Sequence, residues 1–354
     1  MMSSKFMLFL AAIIGVSSVN SQYLRSKYIE SKLIDYYDID DINQFNSLVT
    51  KYDKHYRTVD DIMTAFESFL KNLEFIESHN NTSYTLELNE HFDLDEHQFK
   101  LYRSLNFNHF TNYHYSMLNE GSSICKPYVS TSDYTSLPSS IDWRSKAVTE
   151  VKNQGQCGSC WSFSSTGAME GAHAVATGDL IELSEQQLMD CSWTYGDFGC
   201  NGGLMDNAFV YAIENGMCLE SDVPYLAYDQ RCSNMPSCEP VATFSYCFDV
   251  TSNNQQDLML AVADQPVSVA IEADTKVFQF YKSGIIDSSD CGTSLDHGVL
   301  VVGYGTDSGQ KYWIVKNSWG SDWGEDGYVR IERSESSDDA GICGIAMQPS
   351  FIVV

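Results

Sequence analysis

The sequence predicts an α+β fold in which a helical half is followed by a sheet half, with a cleft between the two. The stretch from Trp161 to Ala176 has helical character and is crowded with small residues (Gly167, Ala168, Gly171, Ala172). It therefore packs closely and centrally, and Gly178 is its stop. After Pro266 the runs VSVAI, VLVVGYG, YWIVKNSW and YVRIE are short, β-branched and aromatic, and are separated by glycine or charge. That is the pattern of strands in an antiparallel sheet. Ahead of both halves, Ile62, Phe66, Phe69, Leu73 and Ile76 recur at three- and four-residue steps between Asp60 and Asn80, which marks an amphipathic helix.

At 354 residues the chain is long enough for more than one folded unit. Its opening places Lys5 ahead of an apolar run from Phe6 to Val16 and then small residues, the layout of a secretory signal peptide cut near Ser18–Ser21. A run of about eleven apolar residues is too short for a bilayer that needs about twenty, and no later segment is long enough to span one. Residues 22–110 carry charged helical patterns and no cysteine. Residues 111–136 are polar and turn-rich, with Cys125 alone among them, and read as an extended linker open to proteolysis. From Leu137 onward cysteine, glycine and tryptophan become frequent.

The formal charge of −27 argues against a nucleic-acid partner, since phosphates would be repelled. It also suits an acidic compartment, where protonation relieves self-repulsion. Secretion into an oxidising environment predicts that most of the 11 cysteines are bonded, and their odd number leaves at least one thiol.

The segment QGQCGSCW, from Gln154 to Trp161, carries the chemistry. Cys157-x-x-Cys160 has three readings: a redox dithiol, half a zinc site, or two cysteines with separate fates. A redox pair wants a small βαβ domain in a reducing compartment, and a zinc site wants a second tight pair. Neither context is present. In the third reading one cysteine is locked away while Cys160, where loop gives way to helix, profits from the positive end of the helix, which favours a thiolate.

Only His173 and His297 follow Leu137. His173 lies thirteen residues along the same helix, roughly 20 Å away and on a different face. His297, ahead of the VLVVGYG strand, comes from the other half of the chain and is the candidate base. Asn317 suits the role of orienting its ring without adding charge, and Trp319 that of shielding their hydrogen bond from water.

These residues resemble the papain-like cysteine peptidases, and among them the cathepsin L-like branch, from about Phe45 to the C-terminus. The resemblance implies a two-lobed fold, a helical lobe against an antiparallel β-sheet or barrel lobe, preceded by a mainly helical propeptide. It divides the chain into a signal peptide (1–20), an inhibitory propeptide (21–136) and a peptidase domain (137–354). It implies Cys160 as nucleophile, His297 as base, Asn317 as orienting residue, and Gln154 as an oxyanion donor beside the Cys160 backbone N–H. For substrate it implies the wall Gly202-Gly203, a pocket walled by Met205, Ala270 and Leu295 with Gln348 at its floor, and contacts from Asp296 and Trp319. Bulky apolar side chains should be preferred there. It pairs Cys157 with Cys200, Cys191 with Cys232, and Cys291 with Cys343. An extra bridge is expected between two of Cys218, Cys238 and Cys247; Cys125 is left free or joined to another chain. Endopeptidase action is implied because the histidines a carboxydipeptidase uses to grip a terminal carboxylate have no counterpart.

The propeptide pattern is kept at Phe69, Asn72, Ile76 and Asn80. Asp61 stands in the glutamate position and Ala65 in the arginine position, which removes a salt-bridge partner. Near Asn89 to Asp93, His91 replaces an aromatic, for which Phe92 compensates by a shifted register. Asn80 and Asn81 both lie in glycosylation sequons. No cofactor and no metal are expected. The expected partners are protein and peptide substrates and the chain's own propeptide, for a monomer in a lysosome-like vacuole or outside the cell. Two rival readings remain: an inert binding protein on the same scaffold, and a disulfide oxidoreductase with Cys157 bonded to Cys160.

Overall fold

The computed structural model describes residues 37–103, 125–130 and 132–354, with side chains of the first segment described to Lys100. The expected signal peptide, and the linker between 104 and 124, lie outside the described residues. Two compact units emerge: residues up to Ser78 together with Glu90–Asp95, and His79–Asn89 together with Glu96–Val354.

The first unit is built on two helices, α1 (Ile39–Lys51) and α2 (Val59–Ser78). Asp38 caps α1 by accepting the Asp40 N–H, and Asp40 and Asp41 in the first turn with Lys51 in the last complement the helix dipole. The core is aromatic. Phe45 meets Phe66, Phe69 and Phe92 edge-on, with ring centroids 5.1, 5.6 and 5.6 Å apart. Phe92 has no exposed surface, so it occupies the aromatic position beside His91, itself buried. The side-chain amide of Asn72 donates to the carbonyls of Phe92 at 3.1 Å and Leu94 at 2.9 Å. Asp93 accepts from Lys54 Nζ at 2.9 Å and the Tyr56 hydroxyl at 2.8 Å. These bonds pin residues 90–95 to the helices.

The second unit begins with β1 (Tyr84–Leu86), α3 (Glu96–Arg103), β2 (Lys126–Pro127) and β3 (Ile141–Asp142). Three helices follow: α4 (Cys160–Thr177), α5 (Glu185–Cys191) and α6 (Met205–Asn215). The rest is mostly sheet. It comprises β4 (Tyr246–Asp249), α7 (Gln255–Asp264), β5 (Val267–Ile271), the short α8 (Lys276–Gln279), β6 (Tyr281–Ile286), β7 (His297–Asp307), β8 (Gln310–Lys316), β9 (Tyr328–Glu332) and β10 (Ser350–Val353).

The strands join in the order β1-β6-β9-β8-β7-β5-β10-β4-β2, with β3 on β7. The sheet is mixed, which corrects the antiparallel expectation: β6–β9 and β2–β4 run parallel. Parallel neighbours need a long crossover, and the β7–β8 hairpin between β6 and β9 supplies it.

Helix α4 packs on the sheet as its composition requires. A Cβ at Gly167 would lie 2.8 Å from Leu300 of β7, and one at Gly171 would lie 2.7 Å from Pro266. Gly178 ends the helix with φ 85°, a left-handed turn that glycine adopts without steric cost.

Among the described residues there are five disulfides: Cys157–Cys200, Cys191–Cys232, Cys291–Cys343, Cys218–Cys238 and Cys125–Cys247. The last corrects the expectation that Cys125 is free or joined to another chain. Its residue is 2% exposed, and Lys126–Pro127 continue it as a strand beside β4, so this end of the linker belongs to the sheet rather than to an open tether.

Candidate active site

Helix α4 and strand β7 converge at their first residues. The Gly298 N–H donates to Cys160 Sγ at 3.3 Å. A Cβ on Gly298 would stand 3.2 Å from Trp161 Cα and 3.3 Å from the Cys160 carbonyl, so glycine lets the strand reach the helix start. His297 Nε2 bonds Asn317 Oδ1 at 2.7 Å, and Asn317 Oδ1 also accepts the Ser318 N–H at 2.8 Å. The Trp319 ring lies on the imidazole at 4.9 Å between centroids, and Phe278 stands edge-on at 6.3 Å. Trp319 is 2% exposed and His297 1%, so the Asn317 bond is shielded from water. With Nε2 committed to Asn317, Nδ1 is the ring nitrogen that chemistry assigns to the sulfur.

Cys157 is bonded to Cys200, and Cys160 is the free thiol. The dithiol reading therefore fails. Complete burial pushes the Cys160 thiol up to about 12, while the N–H groups of Gly298, Trp161 and Cys160 itself pull against it. The helix dipole and these donors favour an anion, and burial opposes it.

Gln154 has no exposed surface. Its backbone N–H bonds the Ser318 carbonyl at 2.9 Å and its Oε1 accepts the Ser318 hydroxyl at 2.6 Å. Nε2 gives one hydrogen to the Cys157 carbonyl at 2.9 Å, which leaves its second N–H for another acceptor. Tyr225 locks the same loop, donating to the Gln154 carbonyl at 2.7 Å and lying 2.6 Å from Ser159 Oγ.

Met205 and Ala270 share one buried cluster with Cys160, and Leu295 packs against it. Gln348, expected at the pocket floor, is exposed. The sulfur of Met347, in contrast, lies as near as Leu295 to where a side chain on Gly344 would start. Gly202 and Gly203 are buried. A Cβ at Gly203 would stand 2.5 Å from the Trp161 ring, so glycine there is required by the protein's own packing. Asn80 is exposed, whereas the Asn81 amide nitrogen donates to Asp287 at 2.8 Å. His173 is partly buried far along α4, away from this convergence.

Sequence reasoning missed the support behind the site. A small pocket of about 20 Å³ backs Asn317 and Ser318 and is lined by Lys152, Glu170, Glu185 and Lys316. Lys152 Nζ lies 2.7 Å from Glu185 and 3.3 Å from Glu170. Burial works against that ammonium, yet the two carboxylates outweigh it and hold Lys152 above its ordinary value. Burial lowers Lys316, which donates to Thr149 at 3.0 Å. The available signal was Glu170, the one carboxylate in α4. Among the described residues, one trio of metal-ligand type, Cys125, Asp206 and Asp249, falls within 4.8 Å. Its sulfur is in the disulfide with Cys247, so it offers two carboxylates.

Several acids are raised: Asp197 to about 7 by burial, Asp206 to about 7 by burial and then Asp249, and Glu220 to about 8 by burial and then Glu185. Groups of this kind bind protons more tightly folded than unfolded, where they titrate near 4. Their contribution is complete below about pH 4 and is lost as pH rises through 7–8. Differential scanning of a Cys160→Ala chain should give a Tm higher at pH 5.5 than at pH 8 by at least about 3 °C. A Tm that rises with pH over that range contradicts the assignment.

Residues 137–353 match the family described as papain family cysteine protease, and residues 45–99 match the cathepsin propeptide inhibitor domain. A probable cysteine protease, RD21B, of Arabidopsis thaliana is 47% identical over 81% of this chain and 60% of its own length. This chain therefore spans about three-fifths of that relative. The senescence-specific cysteine protease SAG39 of Oryza sativa subsp. indica is 43% identical over 86% of this chain and 87% of its own. Among solved structures, digestive procathepsin L 3 of the Tenebrio molitor larval midgut superposes with a TM-score of 0.76 at 39% identity, covering 90% of this chain and all of that one.

Proposed function

Because the chain belongs to the papain family of cysteine proteases, we propose that it is an endopeptidase made as an inactive precursor, with Cys160 as nucleophile and His297 as its acid–base partner. The observation that carries this is the meeting of α4 and β7: a free thiol at a helix start, with the next strand's N–H on its sulfur and an Asn317-bound imidazole one residue away.

Proton transfer from the thiol to Nδ1 makes a thiolate–imidazolium pair once the site opens. The thiolate attacks the peptide carbonyl, and the oxyanion accepts from the Cys160 N–H and the second Gln154 Nε2–H. Nδ1 then gives its proton to the departing amine, leaving an acyl-enzyme. Water, deprotonated by the same nitrogen, hydrolyses the thioester and restores the thiol. Asn317 keeps the ring facing the sulfur through both steps, and Trp319 keeps their bond dry.

Gln154→Ala should lower kcat about 10²–10³-fold with little change in KM, as for loss of one oxyanion donor. An unchanged kcat, measured on a short fluorogenic peptide, would remove Gln154 from this role. Met205, Ala270 and Leu295 support acceptance of a bulky apolar side chain.

The domain match over residues 45–99 supports the segment before Leu137 as the intramolecular inhibitor, with residues 137–354 as the enzyme and 1–20 as a leader into the secretory pathway. Among the described residues no helix is long and apolar enough to cross a membrane. The raised carboxylates support work in an acidic compartment.

A further inference from the structure

Beside the catalytic pair, three carboxylates crowd one spot. Asp296 directly precedes His297, and its backbone N–H bonds the Ile271 carbonyl at 2.9 Å. Its Oδ1 accepts the Ala273 N–H at 2.7 Å, while Oδ2 is buried with no donor. The residue is 6% exposed. Asp274 stands beside it, 14% exposed, and Glu272 is held nearby by the Ser294 N–H. Burial and then the Asp274 charge raise Asp296 well above the usual carboxylate range, with Glu272 adding to the effect. Three acids in one place, one with a buried oxygen that meets no protein donor, favour a cation beside them.

In this chain the cation is Lys100 of α3, whose ammonium is ion-paired with Asp274. Its neighbour Phe99 stands edge-on to Trp319 at 5.5 Å, which fastens the segment beside the catalytic ring. Hydrogen bonding to Asp274 raises Lys100, and the charges of Asp274, Asp296 and Glu272 add to it. Lys100 is 60% exposed, so the contact is reached from solvent. It belongs to the segment that activation removes. Cutting the segment away empties an acidic site rather than an inert one.

We propose that Glu272, Asp274 and Asp296 form a recognition site for a lysine or arginine side chain of the substrate, on the side of the cleaved bond that leaves as the amine. The inference rests on the proposed peptidase reading. Because His297 protonates the leaving amine, the departing half of the substrate lies on its face of the thiol, where Asp296 and Asp274 stand. In the precursor Lys100 holds the place of that side chain.

The test uses enzyme processed from the full chain and internally quenched peptides identical except at the two positions on each side of the cleaved bond, which carry arginine, alanine or glutamate in turn. Arginine on the leaving-amine side should raise kcat/KM over alanine by about tenfold, the scale of one charge-assisted hydrogen bond. Glutamate should lower it. Asp274→Asn, and independently Glu272→Gln, should bring the arginine-to-alanine ratio to about twofold or less. In the wild-type enzyme the ratio should shrink from 0.05 to about 0.5 M salt, as screening shortens the Debye length. Equal rates for arginine and alanine, a basic preference confined to the other side of the bond, or a ratio unmoved in both variants overturns the site. Loss of cleavage of every peptide by the wild-type enzyme would instead overturn the peptidase reading.

Discussion

Full-length chain carrying Cys160→Ala stays uncut when brought to about pH 4–5, where carboxylates begin to protonate, while the wild-type chain processes itself. The effect is all-or-none because no other group can replace the sulfur. Among the described residues Cys160 is the free thiol, and the other ten cysteines are paired. The segment before Leu137 carries the ion pairs Lys54–Asp93 and Lys100–Asp274, and acid in general weakens ion pairs. Gel analysis over a time course reads the outcome. Processing of the alanine variant in a purified sample would assign the cut to a different group.

The second large effect concerns Cys125. The sequence places the maturation cut near Ser130–Leu137, and the structure bonds Cys125 to Cys247 in β4. The Tyr128 N–H bonds the Asp249 carbonyl at 2.7 Å, and the Tyr128 ring meets Phe351 at 5.2 Å. A cut after Cys125 therefore breaks the chain without freeing the piece. Mass spectrometry of processed enzyme without reductant should find a peptide containing Cys125 still bonded to Cys247, and reductant should release it. In Cys125→Ser the same peptide should leave without reductant. A tether also keeps an inhibitory fragment at high effective concentration, so adding reductant to freshly cut enzyme should raise its activity. Separation of all Cys125-containing fragments from unreduced wild-type enzyme would contradict the link.

Much of the site was legible because its chemistry is written in short strings. QGQCGSCW and KNSWG place Gln154, Asn317 and Trp319 in loops and Cys160 at a helix start, and His297 was nearly forced by the scarcity of histidine after Leu137. The central helix was legible too, since Gly167 and Gly171 reveal a close approach before the partner is known. Other features depend on pairings that sequence does not encode locally. Cys125 and Cys247 are 122 residues apart, and composition made the linker look solvent-borne. The parallel β6–β9 pair follows from an intervening hairpin rather than from any strand's own pattern. The carboxylates of Glu170 and Glu185 neutralise Lys152 behind Asn317, a grouping that no local string encodes.

The account depends on the sulfur of residue 160 becoming an anion through His297 once the site opens. Its most direct measurement is the rate of alkylation by a thiol-reactive peptide epoxide as a function of pH. Processed enzyme should lose one reactive thiol, at Cys160, and react rapidly even at about pH 5, far below the ordinary thiol value near 8.5. The unprocessed chain and the His297→Ala variant should not do so. Labelling that climbs only above about pH 8, or that is as fast in His297→Ala as in the wild type, would contradict the account.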